Sequence, residues 1–210
     1  MEKNNPKGKH PHQEAVRHLR KADSVMAQVI AVLPPLEVRK RQPNYFRALV
    51  RSLIGQQLSV KAADTIRLRF QKLFPGRVFP RPEDVLKVSD TKMRAAGLSY
   101  AKISYIKNIA RAVVNGDLKL NKLSKQGNEE IIVELVKIKG IGRWTAEMFL
   151  MFSLNRPDVF SHGDLGLRNA IQKLYKFKTP PTEKQIEKIV SKWSPYKTVA
   201  SRYLWRSLDN

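Results

Sequence analysis

The sequence predicts an all-α protein, and three observations support that prediction. Apolar residues recur every three or four positions along most of the 210-residue chain, which is the spacing of an amphipathic helix. No alternating apolar and polar run of useful length is present, so no β-strand is predicted. Proline, glycine and helix-capping residues separate the periodic segments, as expected between successive helices.

Residues 1–12 are polar and are predicted to be a disordered basic tail, so that residues 13–210 form the folded part. Helices of the first half are predicted from three apolar faces: Val25, Val29, Ile30, Val32 and Leu33 before Pro34-Pro35; Phe46, Leu49, Val50, Leu53 and Ile54 after an Asn44 cap; and Ala62, Ala63, Ile66 and Phe70 after a Ser59 cap. The stretch Gly55-Gln56-Gln57-Leu58 breaks the chain between the second and third of these helices.

The second half continues in the same way. Its predicted helices are Pro80–Val88, Ser89–Ala96, a long helix from a Ser99 cap to Gly116, Glu129–Ile138, a helix opening near Arg143, Asp164–Tyr175, Thr182–Lys192 and Tyr196–Leu208. Asp117–Gly127 is predicted to be a polar connection and Asn155–Gly163 an irregular segment.

Composition narrows the function classes. With 40 Lys and Arg against 18 Asp and Glu, the formal net charge of +22 favours polyanionic partners, nucleic acid first and a membrane surface second. Ribosomal and architectural proteins share this excess, so charge alone does not indicate an enzyme. The chain has no cysteine, which excludes disulfides, thiol catalysis and cysteine-bound zinc or iron–sulfur clusters. The sequence contains no run of 18 apolar residues, so no transmembrane span is predicted. The N-terminus lacks the apolar stretch of a signal peptide.

A pair of glycines marks the stretch Lys139-Gly140-Ile141-Gly142, which joins two predicted helices. Glycine permits positive φ and close backbone approach, and the helix that opens at Arg143 offers N–H groups and a positive dipole end to an anion. Such a turn can receive a phosphate without any side chain. For two glycines alone, however, an ordinary helical corner is the better explanation.

The longer pattern changes that interpretation. The motif Leu-x-x-Ile-x-Gly-Ile-Gly-Arg-Trp-Thr-Ala, which begins at Leu135, is followed by Val-Phe-x-x-x-Asp ending at Asp164. Together they resemble the helix-hairpin-helix DNA glycosylase superfamily, and the segment GIGRWTAEMF is similar to its 3-methyladenine DNA glycosylase II branch. FRALVRSLIGQQLSVKAA and WSPYKTVASRYLWRS extend the resemblance to nearly the whole chain. One departure is Lys139, where the family often has proline.

The resemblance implies a two-lobed helical fold, with a cleft between the lobes and the hairpin motif at about 129–152. It implies a monofunctional glycosylase that removes alkylated purines, N3-methyladenine or N7-methylguanine, from damaged double-stranded DNA and leaves an abasic site. It further implies a monomer that needs no cofactor and no membrane, acting in the cytoplasm and nucleoid of a bacterium or archaeon, or in a nucleus. The alternatives are a non-catalytic helix-hairpin-helix DNA-binding protein and a glycosylase for deaminated or oxidised purines.

Site residues follow from the same resemblance. Asp164 would be both helix N-cap and catalytic carboxylate, although a plain N-cap is the commoner role for such an aspartate. The base pocket would contain Trp144, Trp205, Met148, Phe152 and Phe160, with Met148 where a close relative has tyrosine. Gln57 would intercalate into DNA and Ser59 would lie beside the minor groove. Phosphate would bind at Lys139, Gly140, Ile141, Gly142, Arg143 and Thr145. A structural Na⁺ or K⁺ would be held by the carbonyls of Val136, Ile138 and Ile141.

Trp144 also separates two reaction types. Superfamily members that cleave the DNA strand use a lysine two residues after the second hairpin glycine to form a Schiff base. Tryptophan cannot act as that amine nucleophile. The sequence therefore predicts base removal by hydrolysis, without strand cleavage.

Overall fold

The computed structural model describes residues 11–37 and 44–208. Its α-helices are α1 (Pro11–Ala22), α2 (Ser24–Val32), α3 (Tyr45–Gly55), α4 (Val60–Lys72), α5 (Pro82–Lys87), α6 (Asp90–Ala95), α7 (Tyr100–Val114), α8 (Asn128–Val136), α9 (Arg143–Phe152), α10 (Leu165–Leu174), α11 (Glu183–Val190) and α12 (Lys197–Arg206). Short 3₁₀ helices lie at Leu123–Lys125 and Ser191–Trp193. These two ranges contain no β-strand, so the predicted all-α class is confirmed. No helix within them is long and apolar enough to span a bilayer.

The chain divides into two compact units. The terminal unit combines residues 1–40 with residues 156–210, and the central unit comprises residues 41–155. Each unit has its own buried apolar side chains. The two ends of the chain therefore contribute to one unit.

Local capping chemistry sets where several helices begin. Asn44 accepts a hydrogen bond from the N–H of Arg47 at 2.8 Å, and Ser99 accepts one from Lys102 at 3.2 Å. Ser59 caps α4 in the same way. These caps satisfy N–H groups that the first helical turn leaves without an intrahelical acceptor, so the predicted starts at these positions are confirmed.

The terminal unit is organised around a buried carboxylate. Asp23 caps α2 through Oδ1, while its Oδ2 accepts hydrogen bonds from the Tyr175 hydroxyl at 2.6 Å and the Trp193 indole N–H at 3.0 Å. Trp193 is fully buried. The surrounding apolar side chains include Leu19, Met26, Ile30, Leu167, Ile171, Ile186, Tyr203 and Leu204. The carboxylate thus ties α2 to the segments that follow α10 and α11.

This network predicts a pH-dependent contribution to stability. Burial first, and then hydrogen bonding to Asp23, raise the pKa of the Tyr175 hydroxyl above its ordinary value of 10.0. The folded state therefore holds this proton more tightly than the unfolded state does. Its contribution is complete below pH 10 and declines as the pH rises from there toward the folded-state pKa.

We expect Tyr175→Phe to lower the free energy of unfolding by about 1–2 kcal/mol at pH 7. The difference between wild type and variant should shrink above about pH 10, because only the wild type then loses the tyrosine contribution. Urea unfolding at both pH values measures this, with Tyr100→Phe at an exposed position as the control. A difference that stays constant across this range would contradict the assignment.

The central unit buries the apolar faces of α3, α7 and α9. Leu49 and Leu53 from α3, Ile103 and Ile106 from α7 and Leu150 from α9 have essentially no exposed surface. Helix α7 lies beside α3, and α8 beside α9. This packing fixes the elements that carry the hairpin.

Four predicted details are wrong. Val32 was predicted to lie on the apolar face of its helix, but it is 81% exposed. The buried face of α2 is formed by Met26, Val29 and Ile30, and Val32 lies about 200° around the helix from Ile30. Helix α8 ends at Val136 rather than at Ile138. The connection 117–127 is not simply polar, since Leu118 and Leu123 are buried. Helix α1 begins at Pro11, so the predicted tail does not extend to residue 12, and residues 1–10 lie outside the described ranges.

Candidate active site

Asp164 lies in the terminal unit, at the end of the irregular segment that follows α9. It is buried and caps α10. Its Oδ1 accepts hydrogen bonds from the N–H of Leu167 at 2.8 Å and from the indole N–H of Trp205 at 2.9 Å. Two donors from different elements therefore fix the orientation of this carboxylate. Asp164 and Trp205, which were predicted separately for the site, are therefore in direct contact.

Helix α12 positions Asp164 from both of its ends. At its start, the Thr198 hydroxyl donates to the Arg156 carbonyl at 2.7 Å and accepts from the Val159 N–H at 3.1 Å. Asp158 Oδ1 accepts a hydrogen bond from the N–H of Lys197, the first residue of α12, at 3.3 Å. Near its end, the same helix supplies Trp205. The segment before Asp164 and the carboxylate itself are thus held by one element.

Gly166 makes room for this arrangement. A Cβ atom at Gly166 would lie 3.2 Å from Oδ1 of Asp164 and 3.2 Å from Cδ1 of Trp205, closer than ordinary van der Waals contact. The sequence interpretation missed this residue. The sequence feature that could have identified it is a glycine in the first turn of a predicted helix. Alanine stabilises a helix by about 0.5–1 kcal/mol relative to glycine, so a glycine there needs another reason.

The other predicted pocket residues occupy different places. Phe160 is buried in the terminal unit, where its ring packs edge-on against Trp193 at 6.0 Å between centroids. Trp144, Met148 and Phe152 follow one another at four-residue spacing on α9 of the central unit, so they share one helix face. Trp144 is 42% exposed and Met148 is 9% exposed. Their role in a base pocket stays a prediction.

The two hairpin glycines differ in conformation. Gly140 has φ of +110°, and the ring of Tyr105 lies directly against it. Gly142 has φ of −87°, is the N-cap of α9, and has open space where a side chain would stand. Gly140 is therefore required by the turn, whereas Gly142 leaves the backbone at the start of α9 accessible.

Two residues of the predicted phosphate-binding hairpin, Arg143 and Thr145, have side-chain partners within the central unit. Arg143 donates two hydrogen bonds to Glu129 at 2.8 and 2.9 Å and one to Glu147 at 3.0 Å. The bond to Glu129 raises the pKa of Arg143, and the same bond lowers the pKa of Glu129. Thr145 is buried, and its hydroxyl accepts a hydrogen bond from Gln56. The groups that remain for the predicted phosphate are therefore backbone N–H groups and the exposed Lys139.

The break between α3 and α4 presents Gln57 at the surface. Gln57 has φ of +56°, a left-handed conformation that is uncommon for a residue other than glycine. The Ser59 hydroxyl accepts a hydrogen bond from the N–H of Ala62 at 3.3 Å, so Ser59 caps α4. Both side chains are exposed, as residues that contact DNA must be.

The cation site predicted at the hairpin uses carbonyl oxygens. The Ile138 carbonyl already accepts the N–H of Ile141 at 3.0 Å, and a carbonyl has a second lone pair for a cation. Val136 ends α8, where the negative end of the helix dipole favours a positive ion. Within residues 11–37 and 44–208, no cluster of three His, Asp or Glu side chains could hold a metal. The Na⁺ or K⁺ site stays a prediction.

Comparison with known structures finds closely similar folds. The 3-methyladenine DNA glycosylase of Schizosaccharomyces pombe in complex with abasic DNA superposes with a TM-score of 0.84 at 35% identity, covering 94% of this chain and 97% of that one. The DNA-3-methyladenine glycosidase of Bacillus halodurans gives a TM-score of 0.81 at 38% identity, covering 95% of this chain and 90% of that one.

Sequence comparison agrees. The chain is 38% identical to DNA-3-methyladenine glycosylase 1 of Schizosaccharomyces pombe over 83% of this chain and 76% of the relative. It is 32% identical to a putative DNA-3-methyladenine glycosylase of Bacillus subtilis over 79% of this chain, but spans only 60% of that relative. The family model for HhH-GPD superfamily base excision DNA repair proteins matches residues 50–195, which include the hairpin and Asp164. The chain therefore belongs to the HhH-GPD superfamily of base excision DNA repair proteins.

Proposed function

We propose that the chain is a DNA glycosylase that hydrolyses the N-glycosidic bond of alkylated purines in duplex DNA. The proposal rests on the Asp164 carboxylate, which is buried and held by Leu167 and Trp205 in a member of a base excision repair family. A non-catalytic DNA-binding protein would not need this arrangement. Relatives that are 35–38% identical over most of this chain are named as 3-methyladenine DNA glycosylases, which favours alkylated over deaminated or oxidised purines.

Asp164 would act on a nucleotide that has been flipped out of the duplex. As the base leaves, the sugar acquires oxocarbenium character, and the nearby carboxylate stabilises the developing positive charge. At about 4 Å and an effective dielectric constant of about 20, the attraction is about 4 kcal/mol, or roughly a thousandfold in rate. A water molecule oriented by the same carboxylate completes the hydrolysis.

The leaving group explains why this factor is sufficient. Alkylation at a ring nitrogen makes a purine cationic, so the base departs as a neutral molecule and needs little acid catalysis. A cationic base is attracted to the electron-rich face of an aromatic ring. Trp205, whose indole N–H donates to Asp164, would supply one such face. A methionine at position 148 would attract a positive charge less than a tyrosine would.

Base release without strand cleavage is the expected reaction. The position that carries the Schiff-base lysine in strand-cleaving relatives is Trp144, which has no nucleophilic amine. Hydrolysis therefore leaves an intact strand with an abasic site, which breaks only after alkali treatment.

Incubation of the protein with methylated duplex DNA tests both parts of this proposal. Chromatography should show free N3-methyladenine or N7-methylguanine, and a gel should show strand breaks only after alkali. Duplexes containing hypoxanthine or 8-oxoguanine should release far less base. A protein–DNA adduct trapped by borohydride would contradict the hydrolytic mechanism, and absence of any released base would contradict the enzyme assignment.

Trp205→Phe tests the contact between Trp205 and Asp164. The variant keeps an aromatic face but loses the indole N–H, so the carboxylate loses one of the donors that orient it. We expect the single-turnover rate of base release to fall by about tenfold to a hundredfold, as for loss of a hydrogen bond to a charged group.

Trp193→Phe provides the matched control, because it removes a different indole N–H, the one bonded to Asp23. That variant should be less stable but should release base at a rate close to wild type while folded. If Trp205→Phe retains the wild-type rate, the hydrogen bond does not orient the catalytic group.

A further inference from the structure

The turn that carries Gln57 has a strained backbone. Gln57 lies between the end of α3 and the cap of α4 with φ of +56°. The left-handed conformation costs a residue with a side chain about 1 kcal/mol or more. Such a residue adopts this conformation only where the surrounding structure imposes it. The turn itself contributes one backbone hydrogen bond, from Leu58 N–H to the Gly55 carbonyl at 3.3 Å. Other contacts must hold it.

Lys102 of α7 supplies two of these contacts. Its Nζ donates to the carbonyl of Ile54 at 2.9 Å and to the carbonyl of Gln56 at 2.7 Å. These are among the last carbonyls of α3, where the helix offers no N–H partner and its dipole favours a positive charge. Lys102 is half-buried, and this burial lowers the pKa of its amine. A lysine placed only for solubility would remain exposed.

Gln56 anchors the same turn through its side chain. Its amide Nε2 donates to the hydroxyl of Thr145 at 3.0 Å, and Thr145 is buried in α9. The residue directly before Gln57 is therefore fixed twice, through its carbonyl by Lys102 and through its side chain by Thr145. Gln57 itself is exposed.

We infer that Lys102 and Gln56 are positioning residues that hold the turn in the conformation from which Gln57 enters the DNA duplex. This inference rests on the predicted role of Gln57 as the side chain that fills the gap left by a flipped nucleotide. A turn that is already ordered before binding loses less conformational entropy when it inserts. This entropic gain applies to DNA with a gap to fill. The preference for damaged over undamaged DNA therefore depends on Lys102 more strongly than the affinity for DNA in general does.

The experiment compares Lys102→Met with Lys107→Met. Both positions lie on α7 and both changes remove one positive charge, but Lys107 pairs with Asp90 and not with the turn. Dissociation constants are measured for a duplex with a tetrahydrofuran abasic analogue and for the undamaged duplex. Lys102→Met should lower the preference for the abasic duplex by about tenfold, while Lys107→Met should leave that preference unchanged. Both should weaken binding to undamaged DNA to the same small extent.

Gln57→Gly separates this inference from the proposed role of the side chain. Glycine keeps the left-handed backbone and removes the inserted group. If Gln57→Gly retains the full preference for abasic DNA, the insertion role itself is wrong. If Gln57→Gly loses the preference but Lys102→Met retains it, insertion stands and the positioning role of Lys102 is overturned. The double variant should lose no more than Gln57→Gly alone, and additive losses would also overturn it.

Thermal unfolding shows whether each variant is folded. If Lys102→Met does not fold, Gln56→Met replaces it, because methionine keeps the side-chain length and removes the donor to Thr145. Gln56→Met should then lower the preference for abasic DNA by a similar factor. An unchanged preference in folded Gln56→Met overturns the inference.

Discussion

Asp164→Asn should reduce base release by about a thousandfold or more while leaving the fold intact. The rate falls because the variant lacks the negative charge that stabilises the oxocarbenium-like sugar. The fold survives because asparagine is as good an N-cap as aspartate, and its side-chain oxygen can still accept hydrogen bonds from Leu167 and Trp205. Chemistry and architecture are therefore separable at this residue.

Single-turnover release of base from methylated duplex DNA measures the first effect, and thermal unfolding measures the second. Asp117→Asn serves as the control, since it removes the same charge from an exposed loop of the central unit. It should release base at the wild-type rate. Affinity of Asp164→Asn for abasic DNA should be close to that of wild type. Near-normal turnover by a folded Asp164→Asn protein would show that another group carries the reaction.

Substitution of the two hairpin glycines should affect different properties, stability for Gly140 and DNA binding for Gly142. Gly140→Ala should lower the free energy of unfolding by about 3 kcal/mol or more, because the backbone is left-handed there and the new methyl group would overlap the Tyr105 ring. Combining it with Tyr105→Ala should recover part of the loss, since the overlap is then removed and only the backbone strain remains. Urea unfolding of the two single variants and the double variant measures this. Strictly additive losses would contradict the proposed clash.

Gly142→Val should instead leave the protein folded and weaken DNA binding. Its backbone is in a region open to any residue, and no atom lies near the added side chain. The valine would block approach of a phosphate to the first N–H groups of α9, so we expect about a tenfold loss of affinity for damaged and undamaged DNA alike. Lys139→Ala should differ by lowering the salt dependence of binding by about 0.9 in log–log slope. If folded Gly142→Val binds DNA with wild-type affinity, the hairpin is only a helical corner.

The sequence alone was sufficient for features that depend on neighbouring residues. Helical periodicity identified the all-α class, and the caps at Asn44, Ser59, Ser99 and Asp164 are present as predicted. A cap is a contact between residues two or three positions apart, so its chemistry can be read from a short stretch. The hairpin motif and Asp164 were identified by resemblance, which likewise depends on short spacings.

Contacts between distant segments could not be predicted in this way. The sequence did not distinguish Gly140 from Gly142, because the difference is made by Tyr105 on another helix. It did not indicate that the Arg143 side chain is bound by Glu129 and Glu147. Gly166 looked like an ordinary residue of a helix start.

The tertiary structure decided how Asp164 and Gln57 are held. Trp205, 41 residues from Asp164, orients the carboxylate, and Lys102, 46 residues from Gln56, holds the Gln57 turn. Local propensity places a capping carboxylate or a break between helices. The packing of whole helices determines which distant groups contact that carboxylate or that break. This packing depends on all the apolar faces together and not on any one stretch of sequence.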